Sequence, residues 1–424
     1  MRRLGVLGSV LLAAVLLVGL CGTAQAVEPI KIGVAGPMSF TQGQGHWNGA
    51  TLAAMEINAK GGVKVGNVKR PIELIKVDTN EFMSIPDATN AMELAITRHK
   101  VDFLVGGFRS EAVLVMQDIA MDNKKIFLGC GAAHPELCTR VTKNYNRYKY
   151  WFRITPINSK FLGKVIFIQL GTVAAMMKQA FGLKKLSVAI IAEKAAWNEP
   201  IVAAAQAALP KMGMKVAGVW RPSPVAKDVT AELGAIQRSG ANIIFTSFSA
   251  SVGIPFAKQW GELQVPAPVV GINVEAQKDG FWAATGGKGE FTQTLNTYAR
   301  VKMTEHTIPF FDAYMKNFKE APNYTAGTYD AVLLLAWAVE KAGTLNSDKV
   351  VPVLEKSKTV GTAGLLAFSK DHDVIWGPGY VTSLGTQWQG GKNMAVWPYK
   401  WEGITFEGTV PVKFPPWVIK RYKK

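Results

Sequence analysis

The feature that most restricts the fold is a repeated alternation of short apolar runs with longer segments of helical spacing. Residues 30–34 are an apolar run broken by Gly36 and Pro37, and residues 48–58 carry apolar positions at helical spacing up to Gly61-Gly62. The alternation continues with a strand at 71–77, a helix at 86–97 with Pro86 near its start, a strand at 103–105, a helix at 110–122 and a strand at 126–128. It restarts with a long helix at 160–181, then strand 187–192, helix 199–212, strand 215–220, helix 229–238, strand 242–246, helix 253–261 and strand 269–271. Short apolar runs between helices predict strands covered on both faces, in parallel sheets with right-handed crossovers. The fold class is therefore α/β, with two doubly wound units and a boundary near residues 153–158. Helices at 306–320 and 328–343 follow, and the chain from residue 374 is rich in Trp, Tyr and Gly and reads as strands and turns.

Of the 424 residues, the first 26 read as a leader. Arg2 and Arg3 give a positive start, residues 4–21 are almost entirely apolar, and Ala24-Gln25-Ala26 supplies a small-x-small cleavage site. This is the pattern of a cleaved secretory signal peptide, which places the mature chain, starting at Val27, in the periplasm. An uncleaved anchor and lipidation at Cys21 are the alternatives, the second weakened by Leu20. No later continuous apolar run of spanning length is expected. The mature length exceeds one compact core and predicts two domains.

The net charge of +17 falls to +15 without the two leader arginines. The basic residues are dispersed, and export excludes nucleic acid as a partner. Two mature cysteines, Cys130 and Cys138, predict a disulfide in an oxidising compartment. The five histidines show no metal-ligand spacing, Gly286-Gly287-Lys288-Gly289 lacks the phosphate-loop pattern, and no serine sits in a nucleophile elbow. Gly43, Gly45 and Gly49 depart from the dinucleotide spacing and read as a flexible loop at a cleft mouth. No cofactor, no metal and no catalysis are expected.

In open parallel sheets, ligands sit beyond the carboxyl ends of the strands. The loops to examine are 39–47, 106–110, 129–134, 193–198, 247–251 and 272–275. Among them, Gly106-Gly107-Phe108-Arg109-Ser110 leads into a helix, whose free amides and hydroxyl suit a carboxylate. Arg109 would add a bidentate contact. The alternative is a plain N-cap with Arg109 in solvent.

Lys31-Ile-Gly-Val-Ala-Gly-Pro-Met-Ser39, Asn48-Gly-Ala50, Glu56-Ile-Asn-Ala-Lys-Gly-Gly62, Pro135-Glu136-Leu137 and Gly327-Thr-Tyr-Asp-Ala331 resemble the leucine/isoleucine/valine-type periplasmic binding proteins of bacterial ABC transporters. The resemblance implies a type I periplasmic binding protein: two lobes joined by three crossovers, with the ligand in the cleft. It assigns residues 27–153 plus 283–368 to an N-terminal lobe and 154–282 plus 369–424 to a C-terminal lobe. It implies that Ser110 and the backbone of Gly131, Ala132 and Ala133 bind a ligand carboxylate, with Ala133 where the family usually has Thr. It places Trp197, Phe248 and Ser249 on the second wall. Asn273 falls where amino-acid binders carry an acid for the ligand ammonium, and Glu275 is a displaced candidate for that acid. The expected ligand is a small amino acid or another carboxylate, and the expected partner is a membrane permease met by a monomer. An extracytoplasmic sensor and an exported enzyme are the other function classes.

Overall fold

A computed structural model describes residues 27–402 and 404–423. The leader expected over residues 1–26, with Cys21, lies outside them.

The first unit is built on a parallel sheet of order β4-β1-β5-β6-β7. Its strands are β1 (Ile30–Gly36), β4 (Ile72–Asp78), β5 (Phe103–Gly106), β6 (Phe127–Gly129) and β7 (Trp151–Arg153), with the small hairpin β2 (Val63–Val65) and β3 (Val68–Arg70) beside it. Helices α1 (Thr41–Ala59), α2 (Ile85–Thr97) and α3 (Ser110–Asp122) make the crossovers. The central strand β5 is buried at every position, as expected for a strand sandwiched between helices. Helices α4 (Glu136–Lys143) and α5 (Tyr145–Tyr148) and strand β7 were not foreseen, because the segment is short and rich in polar residues.

The second unit has the parallel order β11-β10-β8-β9. It contains β8 (Leu186–Ala192), β9 (Met214–Trp220), β10 (Ile243–Phe248) and β11 (Val269–Asn273), with helices α6 (Ser159–Phe181), α7 (Glu199–Lys211), α8 (Thr230–Arg238) and α9 (Gly253–Glu262). Helix α6 is long and apolar enough to cross a membrane, yet half of its most apolar window is buried against α7 and β11, as in a core helix. Asn158 opens α6 by accepting from the amides of Lys160 and Phe161, and Gly182 closes it in the left-handed region at φ 66°.

The chain then crosses back. After the turn α10 (Phe281–Ala284), β12 (Gln293–Asn296) lies beside β11, and α11 (Thr307–Phe318) and α12 (Thr328–Ala342) pack on α1. A short pair, β13 (Thr359–Val360) and β14 (Leu365–Leu366), precedes β15 (Leu384–Gln389) and β16 (Lys392–Trp397), which join β12 in an antiparallel sheet. A terminal helix, Pro416–Tyr422, was not anticipated.

Two expectations fail here. The loop expected around Gly43 and Gly45 is the first part of α1, which begins at Thr41. These glycines serve close packing: a Cβ on Gly45 would lie 2.1 Å from Thr325 Oγ1, and one on Gly49 would lie 2.5 Å from the Ala326 carbonyl. The expected Cys130–Cys138 disulfide is absent, and both are free, buried thiols. The intervening segment turns into α4, which carries Cys138 to the Arg153 guanidinium at 3.6 Å, while the Cys130 thiol donates to Leu128 O at 3.4 Å. Side chains committed to different neighbours do not meet the geometry of a disulfide.

Candidate functional site

A cavity of about 230 Å³ opens where the carboxyl ends of the two parallel sheets face each other. Ser110, Gly131 and Ala133 line one wall, and Trp197, Ser249 and Glu193 line the other. Phe82, Phe108, Tyr324 and Ile272 add apolar surface.

The first wall is made by two turns. Gly106 and Gly107, at φ 103° and 76°, swing the chain out of β5 and into α3. Ser110 is the first residue of that helix. The buried Glu81 carboxylate accepts from the amides of Phe108 at 3.2 Å and Arg109 at 3.0 Å. Burial pushes its carboxyl up to about 7. With those donors occupied, the Ser110 amide remains; among the described residues it, like the amides of Gly131 and Ala133, donates to no backbone acceptor. Free amides at the head of a 13-residue helix favour an anion.

The second turn is anchored from behind by Arg153. Its guanidinium, fully buried and paired with Asp373 at 2.8 Å, donates to the carbonyls of Ala132 and, at 2.8 Å, His134. With those carbonyls held inward, Gly131 and Ala133 are left at the cavity, while Ala132 does not line it. A Cβ on Gly131 would lie 2.4 Å from Gly107 O, so the two turns pack directly on each other.

On the second wall, Trp197 Nε1 donates to Glu193 Oε1 and to Ser249 Oγ, each at 3.2 Å. Ser249 Oγ donates to the same carboxylate, and the Ala250 amide reaches it at 3.1 Å. Burial raises the Glu193 carboxyl despite these donors. The network fixes the indole as a wall of the cavity. Opposite it, Phe82, Phe108 and Tyr324 form a ladder with centroids 5.4 and 6.1 Å apart.

Of the residues singled out from sequence, Arg109, Ser110, Gly131, Ala133, Trp197 and Ser249 reach the cavity. The Arg109 guanidinium is engaged, donating to the carbonyls of Glu81 and Phe82 and pairing with Glu111 at 3.4 Å. Ala132, Phe248, Asn273 and Glu275 do not line the cavity. Strands β10 and β11 each run two residues further than expected, so strand alternation decides which side chains face inward. Phe248 falls with Ile244 on the face covered by Phe256, 5.0 Å away. Asn273 turns to α9, where its amide donates to Gly253 O at 2.8 Å. Glu275 accepts from Gln42 at 3.0 Å and pairs with Lys278 at 3.2 Å. His134, inside the expected disulfide loop, accepts from the Glu136 amide and is not at the cavity.

Sequence reasoning missed Glu193, Phe82, Phe108 and Tyr324 as lining residues. Glu193 opens one of the post-strand loops, and Tyr324 precedes the Gly327–Ala331 motif; both signals were available. Gln42 was hidden by the misread loop, and its amide reaches across the cleft to Ser249 O at 3.1 Å. Glu111 makes a second crossing, accepting from the Ala196 amide at 2.9 Å. No group of three or more metal-ligating side chains occurs among the described residues.

The periplasmic binding protein profile matches residues 29–392. The chain belongs to the periplasmic binding protein family. The family is one of transport binding proteins rather than enzymes, and this binding protein has its type I fold. A leucine-, isoleucine-, valine-, threonine- and alanine-binding protein of Pseudomonas aeruginosa is 23% identical over 373 residues, covering 86% of this chain and 92% of that one. A Leu/Ile/Val-binding protein homolog of Brucella melitensis is 25% identical over 377 residues, covering 88% and 95%. Among solved structures, the LivJ substrate-binding protein of Streptococcus pneumoniae in complex with isoleucine superposes with a TM-score of 0.72 at 19% identity, covering 88% and 100%. A solute-binding protein of R. palustris in complex with benzoate gives 0.70 at 20% identity, covering 90% and 99%.

Proposed function

We propose that this periplasmic binding protein captures a small carboxylate-bearing ligand, an amino acid or another organic acid, and delivers it to the permease of an ABC importer. The observation that carries the reading is the set of free amides of Ser110, Gly131 and Ala133 in a cavity lined largely by apolar residues, four of them aromatic: Phe82, Phe108, Trp197 and Tyr324. A carboxylate seated there gains donors without displacing any protein hydrogen bond, and the apolar body fills the space between Trp197 and the Phe82–Phe108–Tyr324 ladder. The relatives named for branched-chain amino acids and the neighbour holding benzoate support the same ligand class.

In this reading the chain is exported, loses residues 1–26 and works as a monomer in the periplasm. The first crossing between lobes falls near residue 153, the second follows β12, which shares a sheet with β15 and β16, and the third follows residues 372–373, which pack on β7. Closure brings both walls onto the ligand, which stabilises the closed form because only that form offers both sets of contacts.

Mass spectrometry of the ligand released from protein purified natively out of the periplasm tests the reading. A small carboxylate is expected. Recovery of a sugar or a metal complex would sink it. So would unchanged affinity for the recovered ligand after Ser110→Ala, which removes the hydroxyl beside those amides.

A further inference from the structure

The acid expected to meet a ligand ammonium is missing from its usual place. Asn273 is turned to α9, and Glu275 is committed to Lys278 and Gln42. Glu81 is buried behind the amides of Phe108 and Arg109 and does not line the cavity. One carboxylate remains at the cavity wall, that of Glu193. We propose that Glu193 is the counter-ion for a protonated amine on the ligand, so that the cleft selects compounds carrying both an amine and a carboxylate over amine-free carboxylates. This rests on the carboxylate reading above and names the substrate class within it.

Three observations carry the assignment. The Glu193 carboxylate is buried, and the groups that hydrogen-bond it are neutral: the Trp197 indole, the Ser249 hydroxyl and the Ala250 amide. Among the described residues, no lysine or arginine lies within ion-pair distance of it. The nearby Arg221 guanidinium is used by the carbonyls of Ala192 and Glu193 and by the Glu199 carboxylate, at 2.6 Å. A buried carboxylate without a cation is costly, and an ammonium arriving with the ligand removes that cost. Second, Glu193 stands on the wall opposite Ser110, Gly131 and Ala133, so the cleft presents an anion-binding end and a cation-binding end. Third, the cavity is lined by aromatic side chains, Trp197 beside Glu193 among them, and aromatic rings attract a cation and not an anion. An amine-free carboxylate would meet Glu193 as a like charge.

Glu193 answers to its surroundings on each side: Arg221 and Glu199 behind it, Lys194 at the cavity edge, and Glu81, Arg109 and Glu111 across the cleft. Burial raises its carboxyl, so lowering the pH protonates it first in the ligand-free protein and weakens amine binding.

Calorimetric titration of the mature protein, dialysed free of ligand, with leucine, 4-methylpentanoate and 3-methylbutylamine decides the matter, with phenylalanine, 3-phenylpropanoate and phenethylamine as the aromatic set. At pH 7.5 each amino acid should bind at least ~10-fold tighter than its amine-free acid. Glu193→Gln should erase that preference. Amine-free acids binding as tightly in the wild type, or a preference that survives Glu193→Gln, would overturn the proposal. Should Glu193→Gln not fold by circular dichroism, the wild type decides alone: an amine-free acid bound as tightly as its amino acid refutes the assignment. Binding of the acids without preference for the amine fails this proposal and leaves the carboxylate reading intact. Binding of the amines alone does the reverse, and binding of no probe fails both.

Discussion

Glu81 and Ser110 divide the amides at the head of α3, and the division sets what each substitution should do. Ser110→Ala removes a hydroxyl that lines the cavity and keeps the helix, so the fold should stand while ligand affinity falls. A hydrogen bond to a charged group contributes about 1.5–3 kcal/mol, which is a loss of roughly 10- to 100-fold in Kd by calorimetry. Glu81 controls stability instead. Its carboxyl is raised from 4.5 to about 7 by burial, so the folded state holds the proton more tightly than the unfolded state does. The stability this provides is fully present below pH 4.5 and is lost as pH rises through about 7, on the order of 3 kcal/mol. Glu81→Gln removes the slope, so its Tm relative to the wild type should climb between pH 5 and pH 7.5. A flat difference would contradict this account. His46 has the opposite sign. Burial lowers it to about 4, so its contribution is present above pH 6.5 and is lost as pH falls through about 4. Ser110 was legible in the sequence because a Gly-Gly turn followed by a serine marks a helix start locally. Glu81 was not, because its partners are 27 and 28 residues away and only the folded chain brings them together.

At the scale of elements, glycine in a helix is a cost that must be offset elsewhere. In α1 it is offset by approach to the Tyr324–Gly327 turn, so Gly45→Ala should force the two apart and destabilise by about 1–3 kcal/mol. Gly171, midway along α6, has Met212 as its nearest neighbour at 3.5 Å from an added Cβ, so the same change there should raise stability by about 0.5–1 kcal/mol. Thermal melts of both variants check the contrast, and equal shifts would contradict it. The strands and helices of both parallel sheets, β7 apart, were legible because each carries its own hydrophobic period. α4 and β7 were not, since both are short and the contact that sets them, from Arg153 in β7 to the carbonyls of Ala132 and His134 ahead of α4, leaves no local pattern. The two ends of strands β10 and β11 were misjudged by two residues each, and in a strand that is enough to misplace the residue that begins the next turn.

At the scale of the molecule, Gln42 ties α1 to Ser249 and Glu275 across the cleft. Gln42→Ala should favour the open form. Small-angle scattering of the ligand-free protein should give a larger radius of gyration, and stopped-flow should give dissociation faster by roughly 10-fold or more, since one of the two bonds goes to the Glu275 carboxylate. An unchanged off-rate would remove Gln42 from the closing contacts. The amino-acid sequence by itself determined the strand–helix alternation that builds the two parallel sheets, the α/β class, and the position of the Ser110 helix start, because periodicity and turn chemistry act over a few residues. Tertiary structure alone decided which acid faces the cavity. Residues 42, 193, 249 and 324 meet only after the two sheets are formed and the chain has crossed between them, and whether Asn273 or Ile272 points inward is set by strand register against neighbours distant in sequence.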